Sequence, residues 1–246
     1  MSRVFHLLAS AALTAAVLGG TTQAQQPAAH AVKPPVFATT KVEGTDNVYV
    51  FRYLNRQAMF IVTSAGVIAT DPIGYGFPET GAAYLSEIKK VTNQPIKYVI
   101  YSHHHFDHIA GGKLFKDGGA TFIAHKKVKD RLAILKDPNT VLPDETFENN
   151  RTIKLGGTVL ELTYHGLNHS DSTIVMRLPK EKIIFTVDTV PVGSVPGRGM
   201  IDSYPLEWEQ FLGQLYVMDW ERMIPGHPGQ PGGRLGTKKD VQDQLA

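Results

Sequence analysis

The chain has 246 residues, 42% of them hydrophobic and 20% charged, which is ordinary for a globular enzyme with one sizeable core. A formal net charge of +2 without any block of like charge gives no electrostatic reason for a nucleic-acid or membrane-surface partner. With no cysteine, a disulfide framework, a thiol nucleophile and a Cys-ligated zinc site are excluded, and an oxidising compartment is suited.

In chain order, residues 1–24 read as a cleaved signal peptide. Arg3 gives a positive start, 7–18 is a short apolar run (LLASAALTAAVL), and Thr22-Gln23-Ala24 offers small residues for a cut. The run is too short to span a bilayer, so a periplasmic or secreted product is expected, with no membrane insertion after cleavage. Residues 25–40 read as a disordered lead-in, and 41–246 as one domain.

Period-2 patterns predict strands at 47–54, 58–63 and 67–70, the last two forming a hairpin across Ser64-Ala65-Gly66. Gly74, Gly76 and Pro78 mark a loop. Ala83, Leu85, Ile88 and Val91 recur at helical spacing, which predicts a helix over 79–91. An apolar strand at 96–101 (IKYVIY) runs straight into His103-His104-His105-Phe106-Asp107-His108. A short helix at 109–115, a strand at 121–124 and a helix at 126–135 follow, and 137–150 reads as irregular. The second half gives strands at 151–155, 158–164, 173–178 and 182–186. A Gly- and Pro-rich loop at 191–204, a helix at 205–218 and a last strand at 222–224 complete it. Two similar halves of strands and helices suit an α/β fold of two sheets packed face to face, with helices outside.

The chemistry concentrates in His103-x-His105-x-Asp107-His108. The segment follows an apolar strand and therefore occupies a strand's C-terminal end, where sheets commonly present functional groups. Imidazole and carboxylate are the ligands that zinc takes when cysteine is absent. His103 and His105, two apart, point the same way in an extended loop. Asp107 and His108 open a helix and can reach a second centre. His104, between two such residues, points away and reads as a hydrogen-bonding residue, and His125 and His165 read as structural. His169 falls in a polar turn between two strands, and His227 in Pro225-Gly226-His227-Pro228-Gly229 after the last one. Asp188 ends the strand KIIFTV, where a buried hydrogen-bonded carboxylate and a metal bridge are equally good readings.

The ordered set His103, His105, Asp107, His108, His169, Asp188 and His227 resembles the five-motif signature of the metallo-β-lactamase superfamily. Asp71, in Thr70-Asp71-Pro72, matches its first motif. The resemblance implies an αββα sandwich, the metallo-β-lactamase fold. It also implies two Zn2+ ions, with iron or manganese as substitutes. His103, His105 and His169 would hold the first ion, and Asp107, His108 and His227 the second. Asp188 would bridge them, and Asp71 would hydrogen-bond the metal loop without being a ligand. Two ions roughly 3.5–4 Å apart share a water and lower its pKa towards neutrality. The resulting hydroxide attacks a carbonyl, with Asp107 orienting the nucleophile or returning the proton.

A small-molecule substrate is implied. A β-lactam fits the export pattern, the lack of cysteine and the use of His108. Against it, no Lys follows Asp188, and Arg198 is the first cation after it in the sequence. A lactone or carboxylic ester is the other hydrolase reading, with Tyr75, Phe77, Phe106 and Tyr204 as lining and 191–204 as one wall. An iron-binding redox protein or a non-catalytic zinc protein is the reading of another class.

Overall fold

Side-chain alternation starts the architecture as a meander, seen in a computed structural model that describes residues 36–195, 200–229 and 233–246. Strands β1 (Phe37–Lys41), β2 (Val48–Tyr53), β3 (Arg56–Thr63) and β4 (Gly66–Thr70) run antiparallel in sequence order. Helix α1 (Thr80–Val91) then crosses to β5 (Ile96–Ile100), parallel to β4. Short helices α2 (Phe106–Ile109) and α3 (Lys113–Asp117) lead to β6 (Thr121–His125), and α4 (Lys126–Leu135) leads to β7 (Glu145–Phe147). Both strands extend the parallel half of a seven-stranded mixed sheet.

The second sheet has five strands in the order β12-β11-β10-β9-β8. Strands β8 (Asn150–Leu155), β9 (Thr158–Tyr164), β10 (Ile174–Leu178) and β11 (Ile183–Thr186) are antiparallel. Helix α5 (Pro205–Val217) carries the chain to β12 (Arg222–Pro225), parallel to β11, and α6 (Lys238–Leu245) follows.

Strand β3 shows why these layers stack. Met59 and Ile61 face the second sheet, packing with Ile68, Leu160, Met176 and Phe185. Ala58 and Phe60, one residue out of step, face the helices with Tyr84 and Ile88 of α1 and Val128 and Leu132 of α4. The outer face of the second sheet is covered by Trp208, Phe211 and Leu215 of α5 and Val241 of α6. Each large apolar side chain fully buried in these layers contributes about 1.5–3 kcal/mol. The order of layers is helix, sheet, sheet, helix, as the sequence pattern implies.

Some elements differ from expectation. The lead-in was expected to be disordered to residue 40, yet Phe37–Lys41 pairs with Tyr49–Tyr53 as an edge strand. Glu145–Phe147, in the stretch read as irregular, pairs with β6 because Phe147 belongs to the inter-sheet core. The single helix predicted at 109–115 is two helices. Gly111 separates them because its N–H donates to the Pro72 carbonyl at 2.6 Å, a close approach that leaves no room for a side chain. Helix α6 has no counterpart in the predicted elements. The signal segment 1–24, the lead-in up to residue 35 and Arg198 lie outside the described residues. No helix among the described residues is long and apolar enough to cross a membrane.

Candidate metal centre

Strand ends deliver the centre. Strand β4 runs into Asp71, β5 into the loop carrying His103 and His105, β11 into Asp188, and β12 into His227. The turn between β9 and β10 supplies His169. Asp71 (φ 39°) and Asp188 (φ 61°) both have left-handed backbone, which Asp tolerates better than most side chains. That bend turns each carboxylate out of its strand and under the loops.

Three groups of ligand-capable atoms result among the described residues, His104, His105 and Asp202 forming one beside the two that make up the centre. Those of His103, His105, His169 and Asp188 lie within 4.8 Å of one another, and so do those of Asp107, His108 and His227. Asp188 touches both groups. Its Oδ2 lies 3.2 Å from His108 Nε2, 3.5 Å from His169 Nε2 and 3.7 Å from His103 Nε2, and its Oδ1 lies 3.3 Å from His227 Nε2. Asp107 Oδ2 stands 3.6 Å from both His108 Nε2 and His227 Nε2.

The donor chemistry fits divalent cations. His227 Nδ1 donates to the Asn55 carbonyl at 2.6 Å, so in the neutral ring Nε2 presents a lone pair inward. It meets His108 Nε2 at 3.1 Å. In the other group, His105 Nε2 donates to Asp202 at 2.9 Å, which turns the Nδ1 lone pair towards His169 Nε2, 3.1 Å away. Converging lone pairs repel unless a proton or a cation lies among them. His103 Nε2 and Asp188 Oδ1 are buried and have no hydrogen-bond partner, the state of atoms whose partner is an ion.

Electrostatics follows from this packing. Burial pushes Asp71 up to about 7, against the pull of His108 and the Ser102 hydrogen bond. Burial alone would lower His108, but the Asp188 and Asp107 carboxylates outweigh it and raise the imidazole to about 9. The cost of burying Asp188 and Asp107 is likewise outweighed by the histidines, and both stay well below the usual carboxylate range. Burial lowers His169 to about 4, and His103 well below the ordinary imidazole value.

A cleft of about 450 Å³ opens over these groups, within the usual range for small-molecule sites. Besides the centre itself, Asn55, Ser194, Val190, Val195, Met200 and Trp208 line it. Of the loop expected as one wall, Pro191, Ser194, Val195 and Met200 line the cleft. Tyr75, Phe77, Phe106 and Tyr204, expected as lining, are elsewhere: Tyr75 stacks on Phe106, Phe77 packs on Tyr53, and Tyr204 precedes α5.

Of the other histidines, His104 bonds Ser172 and Asp202, His125 bonds the Glu148 carbonyl, and His165 bonds Gln214. Sequence reasoning missed Arg56, whose Nε lies 3.2 Å from Asp107 Oδ2, and Asp202. No spacing rule says which loop carboxylate folds back over a distant imidazole, and an acidic residue in a polar loop was the only signal.

Comparisons with known proteins agree with this fold. The family model of the metallo-β-lactamase superfamily matches residues 74–229. The metallo-β-lactamase type 2 of Elizabethkingia meningoseptica is 28% identical over 188 residues, 73% of this chain and 69% of that protein. The 2,4-dinitroanisole O-demethylase subunit alpha of a Nocardioides strain is 24% identical over 78% of this chain, which spans 58% of that protein. A metallo-β-lactamase structure from Pontibacter korlensis superposes with a TM-score of 0.74 at 22% identity, covering 85% of this chain and 97% of that one.

Proposed function

The chain belongs to the metallo-β-lactamase superfamily of metal-dependent hydrolases, and from that premise we propose that it is a two-zinc enzyme opening a cyclic amide, a β-lactam ring first. The observation that carries this reading is the position of Asp188 between two clusters of three further ligand-capable residues each.

In this reading His103, His105 and His169 hold one ion, and Asp107, His108 and His227 the other, with Asp188 shared. Bound zinc supplies Lewis-acid polarisation of a substrate carbonyl and a water made nucleophilic at neutral pH. The chain's own groups do the rest. Asp107, held ionised beside Arg56, would orient the attacking water or return its proton to the leaving group. Asn55 and Ser194 offer neutral polar contacts on the cleft wall, while Val190, Val195 and Trp208 exclude water from one side. The reading of residues 1–24 as an export signal supports a periplasmic or secreted enzyme, which N-terminal sequencing of the mature protein tests.

A second reading, hydrolysis of an uncharged lactone or ester, is favoured by one observation. Among the described residues lining the cleft there is no Lys or Arg to receive a substrate carboxylate. Zinc-loaded enzyme assayed on nitrocefin, an acyl homoserine lactone and p-nitrophenyl esters separates the two. Chelator-sensitive turnover of nitrocefin supports the first, and turnover of the lactone or esters alone supports the second. Two bound zincs with no turnover of any would overturn both. Stoichiometric iron with a visible absorption band would instead support redox chemistry.

A further inference from the structure

Between β11 and α5, Ile201 stands at 94% of its free surface, yet the neighbouring Asp202 side chain turns inward. Its two oxygens meet two adjacent histidines. Oδ1 lies 2.9 Å from His105 Nε2, and Oδ2 lies 3.0 Å from His104 Nε2. An ionised carboxylate only accepts hydrogen bonds, so both facing nitrogens carry hydrogen. In a neutral His105 this leaves Nδ1 bare and aimed at the centre. In His104 it leaves Nδ1 to accept from the Ser172 hydroxyl at 2.7 Å.

The frame holding this carboxylate continues outward. The side chain of Asp171, beside Ser172, approaches His104 Nδ1 at 4.0 Å and receives Arg131 of α4 at 2.9 Å. Two residues beyond Asp202, the Tyr204 N–H donates to the Asn168 carbonyl at 2.8 Å, pinning the loop to the turn that carries His169.

We propose that Asp202 is a positioning residue, fixing the tautomer and ring orientation of His105 towards the metal centre, and that His104 acts by holding Asp202. This gives a role to the one histidine of the HHHFDH segment that stands outside the two groups forming the centre. The proposal rests on the reading of His105 as a ligand. Carboxylate partners of metal-binding histidines characteristically change metal affinity 10- to 100-fold when removed.

The test is zinc affinity, measured by competition with a chromophoric chelator, together with the visible spectrum of the cobalt-substituted protein. D202A weakens one of the two zinc sites by roughly 10- to 100-fold and alters the cobalt spectrum. D202N, which keeps the shape and one acceptor, falls between D202A and the parent, and it serves if D202A does not fold by circular dichroism. H104Q weakens the same site by a smaller factor. The H104Q/D202A double variant is no weaker than D202A alone, because His104 acts through Asp202. Parental zinc affinity in both D202A and D202N would overturn the proposal, and so would additive losses in the double variant. H105A serves as the separate control. If it retains both zincs, the ligand reading fails, whereas zinc loss in H105A with none in D202A counts against the role of Asp202 alone.

Discussion

Asp71 Oδ1 accepts the backbone N–H of Ser102 at 2.7 Å, tying the end of β4 to the residue that precedes the histidine loop. Both groups are fully buried, so the bond has no water to replace it. Ser102 Oγ in turn lies 2.8 Å from His103 Nδ1, which links Asp71 to the orientation of that ring. In D71A the Ser102 donor is left unsatisfied, which costs about 1–3 kcal/mol. Urea unfolding of the metal-free variant is expected to show that loss, and zinc affinity is expected to fall with it. An unchanged midpoint would mean that the loop holds itself.

Backbone contact between the Asp71 loop and the α2–α3 junction is as close. A Cβ on Gly74 would stand 2.5 Å from the Gly111 Cα, and one on Gly111 would stand 2.7 Å from the Pro72 carbonyl. Neither neighbour is a flexible side chain. G74A and G111A are each expected to destabilise the fold by about 1–3 kcal/mol or more, as overpacking does. Thermal melts check this; parental melting temperatures in both would show that the two loops separate without cost.

Removing metal is expected to abolish turnover and lower the melting temperature together. An ion at one hundred times its Kd stabilises the folded state by about 2.7 kcal/mol. For a domain of this size that is roughly 5–11 °C. Scanning calorimetry with and without a chelator measures it, and adding zinc back should restore both properties. Activity that survives exhaustive chelation would contradict the two-ion reading.

Acid stability should carry the signature of Asp240. Its carboxylate closes the capping box of α6 by accepting from the Thr237 N–H at 2.8 Å, and it pairs with Arg234. Burial works against ionisation, but these partners outweigh it and hold the carboxyl at about 2. The folded value lies below the unfolded one, so the stabilisation is complete above pH 4 and is lost as pH falls towards 2. D240N is expected to be about 1 kcal/mol less stable than the parent at pH 7. The gap should close between pH 4 and 2 in urea titrations. A gap independent of pH would show that the ionised form is not what matters.

Much of this was legible because the chemistry is local. Four of the seven ligand-capable residues stand within six positions after an apolar strand, and the other three end strands or lie in turns beside them. Strands such as β3, with alternate residues committed to different layers, announce the sandwich in the same way. What was missed depends on contacts between distant segments. Strand β1 has no buried residue of its own, so only pairing with β2 defines it. Helix α6 is short and Val241 is the one apolar residue it buries, although Thr237-x-x-Asp240 is a readable capping box. Of the aromatic residues expected in the cleft, Tyr75 and Phe106 pair with one another and Phe77 packs on Tyr53 of the meander. Asp202 reaches His105 across 97 positions of sequence, and only the folded loop brings them together.

The most direct test is anomalous diffraction at the zinc edge from crystals grown with zinc. Two peaks are predicted, at about 2.0–2.2 Å from ligand atoms. One should be surrounded by His103, His105 and His169, the other by Asp107, His108 and His227, with Asp188 in contact with both. A single peak, or peaks that leave Asp188 uncoordinated, would contradict the claim that this chain brings two ions together at the ends of its strands.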